Sequence, residues 1–135
     1  MSTENPLKRL GHFGQSVWLD YIRRQLLSSP EFQRLLDEDG LDGMTSNPTI
    51  FEKAIDGSDD YDGQFEKLVG AGADVDAIYE GLTTEDIKTA ADHLRPIYEK
   101  SNGFTGYVSY EVLPALAHDT ERTIAAAHRY FKLID

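Results

Sequence analysis

The sequence predicts an α/β fold in which short parallel strands alternate with helices. Three β-prone runs stand apart along the chain, SVWLD at 16–20, GMTS at 43–46 and GYVSYEV at 106–112. The stretches between them carry apolar residues at a spacing near 3.6, interrupted by glycines. Strands joined through helices cross over and pair in parallel. Length adds a third constraint: a closed (β/α)8 barrel takes about 250 residues, about 31 per unit, so this chain holds roughly four units. Residues 1–135 therefore read as one unit, three parallel strands with surrounding helices forming the N-terminal part of a TIM-type barrel whose remaining strands are absent. A small free-standing α/β sheet is the competing architecture.

Taken in order, Asn5-Pro6 opens a short helix, with Asn as N-cap and Pro in the first turn. After the first strand, helices are expected at 21–28 and 30–39, the second capped by Ser29 and stopped by Gly40. The second strand ends at Asn47-Pro48, because a residue before proline is pushed out of helical space. Helices at 49–55, 61–69, 75–80 and 84–100 follow, punctuated by Gly57, Gly72 and Gly103, the last helix kinked at Pro96. Beyond the third strand, Asp119 caps a final helix in which Ile124, Ala127, Phe131 and Ile134 share a face.

The chain carries 13 Lys+Arg against 24 Asp+Glu, a net charge of −11. Such a surface repels nucleic acid and anionic membrane, so neither is an expected partner. Cysteine is absent, which excludes disulfides, thiolate nucleophiles and Cys-type metal sites. No apolar run reaches the ~18 residues of a membrane span and the first residues hold no apolar signal region, so a cytoplasmic protein is expected. His12, His93, His118 and His128 form no metal-ligand spacing, and no metal is expected. The stretch Ser58–Gly63 approaches a calcium loop, but the position for the bidentate Glu falls on Val69, so it reads as a solvated acidic turn. Arg23, Arg24, Glu121 and Arg122 read as exposed helix faces, and Tyr79, Tyr98, Tyr130 and Phe131 as core.

The strands carry a polar group at or near their C-terminal ends: Asp20, Asn47 and Glu111. Side chains two apart share a face of a strand, which groups these three with Trp18, Thr45, Tyr107 and Ser109. Val17, Leu19, Met44, Val108 and Val112 fall on the opposite, apolar face. The polar face is then the barrel interior, and its C-terminal end is where this architecture gathers reactive groups. Two carboxylates there, Asp20 and Glu111, suit a division of base and acid roles on a hydroxyl or carbonyl. Capping of the following helices is the competing explanation for Asp20 and Asn47; it does not cover Glu111, placed in mid-strand.

Four segments carry a resemblance to a known family: GQSVWLDYIRR, DGLDGMTSNPTIFEKAI, YDGQFEKL and GYVSYEVLPALAHDTERTIAAA. In order and spacing they resemble the transaldolases of the longer bacterial branch, in their N-terminal portion, and TSNPTIFEKAI after a strand is the most specific of them. The resemblance implies a barrel of class I aldolase type with circularly shifted strand order. It implies transfer of a dihydroxyacetone unit from sedoheptulose 7-phosphate or fructose 6-phosphate to an aldose phosphate, glyceraldehyde 3-phosphate or erythrose 4-phosphate, within the pentose phosphate pathway. The chemistry runs through a lysine Schiff base without metal or organic cofactor. By the same resemblance Asp20 takes the proton of the hydroxyl whose C–C bond breaks. Asn47, with Thr45 and Ser46 beside it, binds substrate hydroxyls, and Glu111 works through a water in forming and hydrolysing the imine.

The family's Schiff-base lysine belongs to a fourth strand expected to begin just after Asp135, and Lys132, within HRYFKLI, matches a variable helical position instead. The 135 residues alone are therefore expected to be inactive. The alternative to an enzyme is a non-catalytic half-barrel, an interaction module that assembles with itself through open sheet edges or with a second piece.

Overall fold

Strands β1 (Val17–Asp20), β2 (Leu41–Thr45) and β3 (Tyr107–Ser109) form one parallel sheet in that order. The computed structural model describes residues 4–134; Met1–Thr3 and Asp135, the ends of the expected unit, lie outside the described residues. Helix α1 (Pro6–Leu10) precedes the sheet, capped by the Asn5 side chain as expected. Helices α2 (Arg24–Leu27) and α3 (Pro30–Asp37) carry the chain from β1 to β2. Helices α4 (Pro48–Asp56), α5 (Asp62–Gly70) and α6 (Val75–Lys100) carry it to β3, and α7 (Thr120–Ile134) follows. This is the strand–helix succession of the opening part of a (β/α)8 barrel. No helix among the described residues is long and apolar enough to cross a membrane.

The alternation of side chains divides the sheet as the sequence predicts. Leu19, Met44 and Val108 align across the strands and turn toward the helices. There they meet Ile22, Leu27, Phe32, Leu41, Phe51, Ile87, Ala90 and Leu94 in the main core. The other face carries two rows in register, Trp18–Gly43–Tyr107 and, nearer the C-terminal ends, Asp20–Thr45–Ser109. Gly43 has a steric purpose: a Cβ there would come within 2.5 Å of the Trp18 ring, so glycine lets the indole lie across β2. Trp18 and Tyr107 remain 40% and 44% exposed on this open face.

Several boundaries differ from expectation for identifiable reasons. Strand β3 ends at Ser109, so the expected strand over 106–112 is cut short and Glu111 is not in mid-strand. The helix expected at 21–28 shrinks to a single turn, because the chain stays extended through Arg23 (φ −159°, ψ 139°) while Ile22 is buried. The helices expected at 75–80 and 84–100 are one, α6, with Pro96 inside it. Gly81 lies within α6 because Leu68 of α5 packs 3.1 Å from where its Cβ would be. On α7 the buried positions are Ala126 and Tyr130, whose ring packs 4.9 Å from that of Tyr110. Ile124 and Phe131 are exposed; Phe131 and Ala127 border a groove beside β3 rather than filling a core, while Ile134 is half-buried against the main core. Tyr98 is likewise exposed and stacks edge-on against Tyr107 instead of packing inside.

Candidate active site

The last residues of the three strands, Asp20, Thr45 and Ser109, stand in register on the open face. Thr45 Oγ1 donates a 2.6 Å hydrogen bond to Asp20 Oδ1. The distance lies at the short end of the ordinary range for an O–H···O hydrogen bond. Asp20 is exposed, and its Oδ2 has no partner among the described residues, so it is available to accept a proton. Thr45 thus orients the carboxylate through one oxygen and leaves the other open on the exposed face.

Ser46 and Asn47 continue β2 beyond Thr45, and they behave differently from each other. Ser46 is buried, and both its N–H and its Oγ–H donate to the Ser109 carbonyl, at 3.2 and 2.9 Å. Its hydroxyl is spent on locking the end of β2 to β3. Asn47 remains extended (φ −148°, ψ 167°), and its Oδ1 accepts from the N–H of Ile50 at 2.9 Å as the N-cap of α4, with Pro48 in the first turn. The capping explanation therefore holds for the Asn47 oxygen, whereas its Nδ2 keeps both hydrogens free of partners among the described residues. One amide can cap a helix and still donate to a ligand.

Glu111 lies two residues past the end of β3, exposed, with no hydrogen bond or ion pair among the described residues. Its recorded influence is on a neighbour. Burial first, then Tyr130 and the Glu111 charge, push the Tyr79 phenol up to about 12. The row in register thus contains Asp20 and Thr45, while Asn47 and Glu111 follow their strands by two residues each.

Comparison with known proteins bears on what this arrangement serves. A family model described as Transaldolase/Fructose-6-phosphate aldolase matches residues 17–135. The chain belongs to the transaldolase/fructose-6-phosphate aldolase family. It is 49% identical over 134 residues to a protein named Transaldolase 2 of Nostoc punctiforme, covering 99% of this chain and 35% of the relative. It is 43% identical over 130 residues to a Transaldolase of Trichodesmium erythraeum (96% and 34%), and 47% identical over 131 residues to one of Thermobifida fusca (97% and 36%). The chain spans about a third of the length of these curated relatives and corresponds to an N-terminal portion.

Within this transaldolase-family chain, the structure corrects the reading of Arg24 as an exposed residue. Arg24 Nε donates to Asp86 Oδ1 at 2.8 Å, and Asp86 is 1% exposed. Tyr61 donates from its hydroxyl to Asp86 Oδ2 at 2.8 Å, and its ring lies 4.5 Å beneath the Arg24 guanidinium. Gln64 Oε1 accepts from Arg24 Nη2 at 2.8 Å. Burial pushes the Asp86 carboxyl up, against the opposing pull of Tyr61 and Arg24. The signal for Asp86 was in the sequence: Leu82, Asp86, Ala90 and Leu94 form one row at a spacing of four. An acid on an apolar row requires a buried partner.

Proposed function

We propose that this chain supplies part of the active site of a transaldolase, which moves a dihydroxyacetone unit between sugar phosphates. The donors are fructose 6-phosphate or sedoheptulose 7-phosphate, and the acceptors erythrose 4-phosphate or glyceraldehyde 3-phosphate. Asp20 is the base. It takes the proton of the hydroxyl on the carbon next to the breaking bond; that oxygen becomes a carbonyl, and the bonding pair passes to the three-carbon unit held as an imine. Asn47 donates from Nδ2 to a substrate hydroxyl, and Thr45 holds Asp20 in place. Glu111 acts through a water when the imine forms and is hydrolysed. Each lysine of the chain, Lys8, Lys53, Lys67, Lys88, Lys100 and Lys132, is helical. We therefore assign the imine-forming amine to a segment outside these residues, and the 135 residues alone are inactive.

The single observation behind this reading is the 2.6 Å bond by which Thr45 orients a strand-end carboxylate on the open face. The test joins residues 1–135 to the remaining two-thirds of the Nostoc punctiforme relative. Sedoheptulose 7-phosphate should form from fructose 6-phosphate and erythrose 4-phosphate, and Asp20→Asn should slow its formation by about a hundredfold or more. A joined protein whose activity survives Asp20→Asn undiminished contradicts the assignment.

A second reading, self-association of the half-barrel, is favoured by Trp18 and Tyr107 on the open face and by the edge positions of β1 and β3. Light scattering should then report a species heavier than 15.1 kDa. A monomer at all concentrations counts against it.

A further inference from the structure

We infer that Arg24, Tyr61 and Asp86 form a positioning clamp that fixes the chain segment after Asp20 and so sets the aim of that carboxylate. The inference rests on the reading of Asp20 as the base.

Helix α2 is a single turn whose N-cap residue, Arg23, makes no side-chain capping bond. Such a turn has little stability of its own, and its first N–H groups lack partners within the helix. The N–H of Arg24 finds one 37 residues away, in the hydroxyl oxygen of Tyr61 at 3.3 Å. That hydroxyl passes its own hydrogen to Asp86 Oδ2, while the Arg24 side chain turns back onto Asp86 Oδ1. The result is a closed ring: backbone of Arg24 to Tyr61, Tyr61 to Asp86, and Asp86 to the side chain of Arg24. Gln64 extends it, accepting from Arg24 and donating to the Gly81 carbonyl of α6 at 3.0 Å.

The anchor is rigid on the far side. Asp86 belongs to the 26-residue α6, which buries Ile87, Ala90 and Leu94 in the main core. Only Tyr21, Ile22 and Arg23 separate Asp20 from the clamped backbone, and Ile22 is fully buried. Arg23 adds a second tie, donating from Nη2 to the carbonyl of Gly57 at the end of α4, whose beginning Asn47 caps. The segments GQSVWLDYIRR and YDGQFEKL, far apart in sequence, meet in this ring. A shift of about 1 Å at a reacting group can cost a hundredfold in rate.

The test uses the joined protein described above and a cycle of variants in kcat. Tyr61→Phe keeps the ring packing and breaks the hydrogen-bonded circuit; Arg24→Lys keeps the charge and loses the fork. Each should lower kcat about tenfold or more while KM for the acceptor changes less than about twofold. In an Asp20→Asn background either variant should change the residual kcat less than about twofold, because the clamp acts through a base already removed. If the losses instead multiply, the clamp serves folding alone and the inference is wrong, with Asp20 as base untouched. If Asp20→Asn leaves kcat unchanged, the base assignment fails and the inference with it. A second readout needs no activity: in the 135-residue chain, Tyr61→Phe should move the carbon NMR signals of the Asp20 carboxyl and the Thr45 methyl. Signals that stay in place there, while those of Arg24 and Asp86 move, overturn the inference.

Discussion

Thr45 Oγ1 and Asp20 Oδ1 lie 2.6 Å apart at the ends of neighbouring parallel strands, in register, on the face of the sheet that the helices do not cover. The hydroxyl is a fixed donor on a strand, so the carboxylate is oriented by the sheet rather than by a loop. Thr45→Val is nearly isosteric and removes the donor alone. It should lower the stability of the chain by about 1 kcal/mol in denaturant titration, the usual worth of one hydrogen bond, and leave the fold intact. In the joined protein it should reduce kcat without altering substrate KM.

The partly buried pair of Arg24 with Asp86 predicts a pH-dependent penalty. Arg24→Ala leaves the Asp86 carboxylate buried without its cation and should cost roughly 3–5 kcal/mol near neutral pH. The stranded carboxyl then holds its proton more tightly than an unfolded aspartate, whose pKa is about 3.9. A group raised in the folded state favours folding at low pH and loses that contribution as pH rises through its folded value. The difference in stability between the parent and Arg24→Ala should therefore be largest near pH 7 and shrink as pH falls toward about 4. A penalty constant over that range contradicts the pairing.

Gly43 gives a local test with a spectroscopic handle, since Trp18 is the only tryptophan in the chain. A Cβ at Gly43 meets three atoms of the indole between 2.5 and 2.8 Å, too close for any rotamer to remain in place. Gly43→Ala should cost about 1–3 kcal/mol by overpacking and shift Trp18 emission to longer wavelength as the ring is driven off the sheet. Unchanged emission contradicts the placement of the indole across β2.

How much of this was legible in the sequence can be judged residue by residue. Period-two alternation in VWLD and YVS assigned the faces of the sheet correctly, because a strand has only two sides. The caps Asn5 and Ser29 were legible as well, since a short polar side chain before proline has one common use; at Asn47 the cap was the competing explanation, and the structure shows it. Glu111 was misplaced in mid-strand because the β-branched and aromatic run GYVSYEV outlasts the ladder, and pairing rather than propensity decides where a strand ends. The interruption expected between 80 and 84 is absent, and Gly81 there serves close packing against Leu68, a tertiary fact with no local signature. Arg24 looked exposed because its partners lie 37 to 62 residues away in the chain.

The positions of the lysines make a prediction for the isolated chain. All six are on helices, none at the end of a strand beside Asp20. Incubation of the 135-residue polypeptide with fructose 6-phosphate and borohydride should yield no covalent adduct by mass spectrometry. An adduct on Lys132 would overturn the assignment of the amine to another segment.

The most direct measurement separates imine formation from bond cleavage in the joined protein. Because Asp20 is assigned to the proton that leaves when the C–C bond breaks, Asp20→Asn should still form the imine. Borohydride quenching with fructose 6-phosphate should trap as much adduct as in the parent, while turnover falls by about a hundredfold or more. Loss of trapping together with turnover, or turnover that persists, would contradict the role given to Asp20.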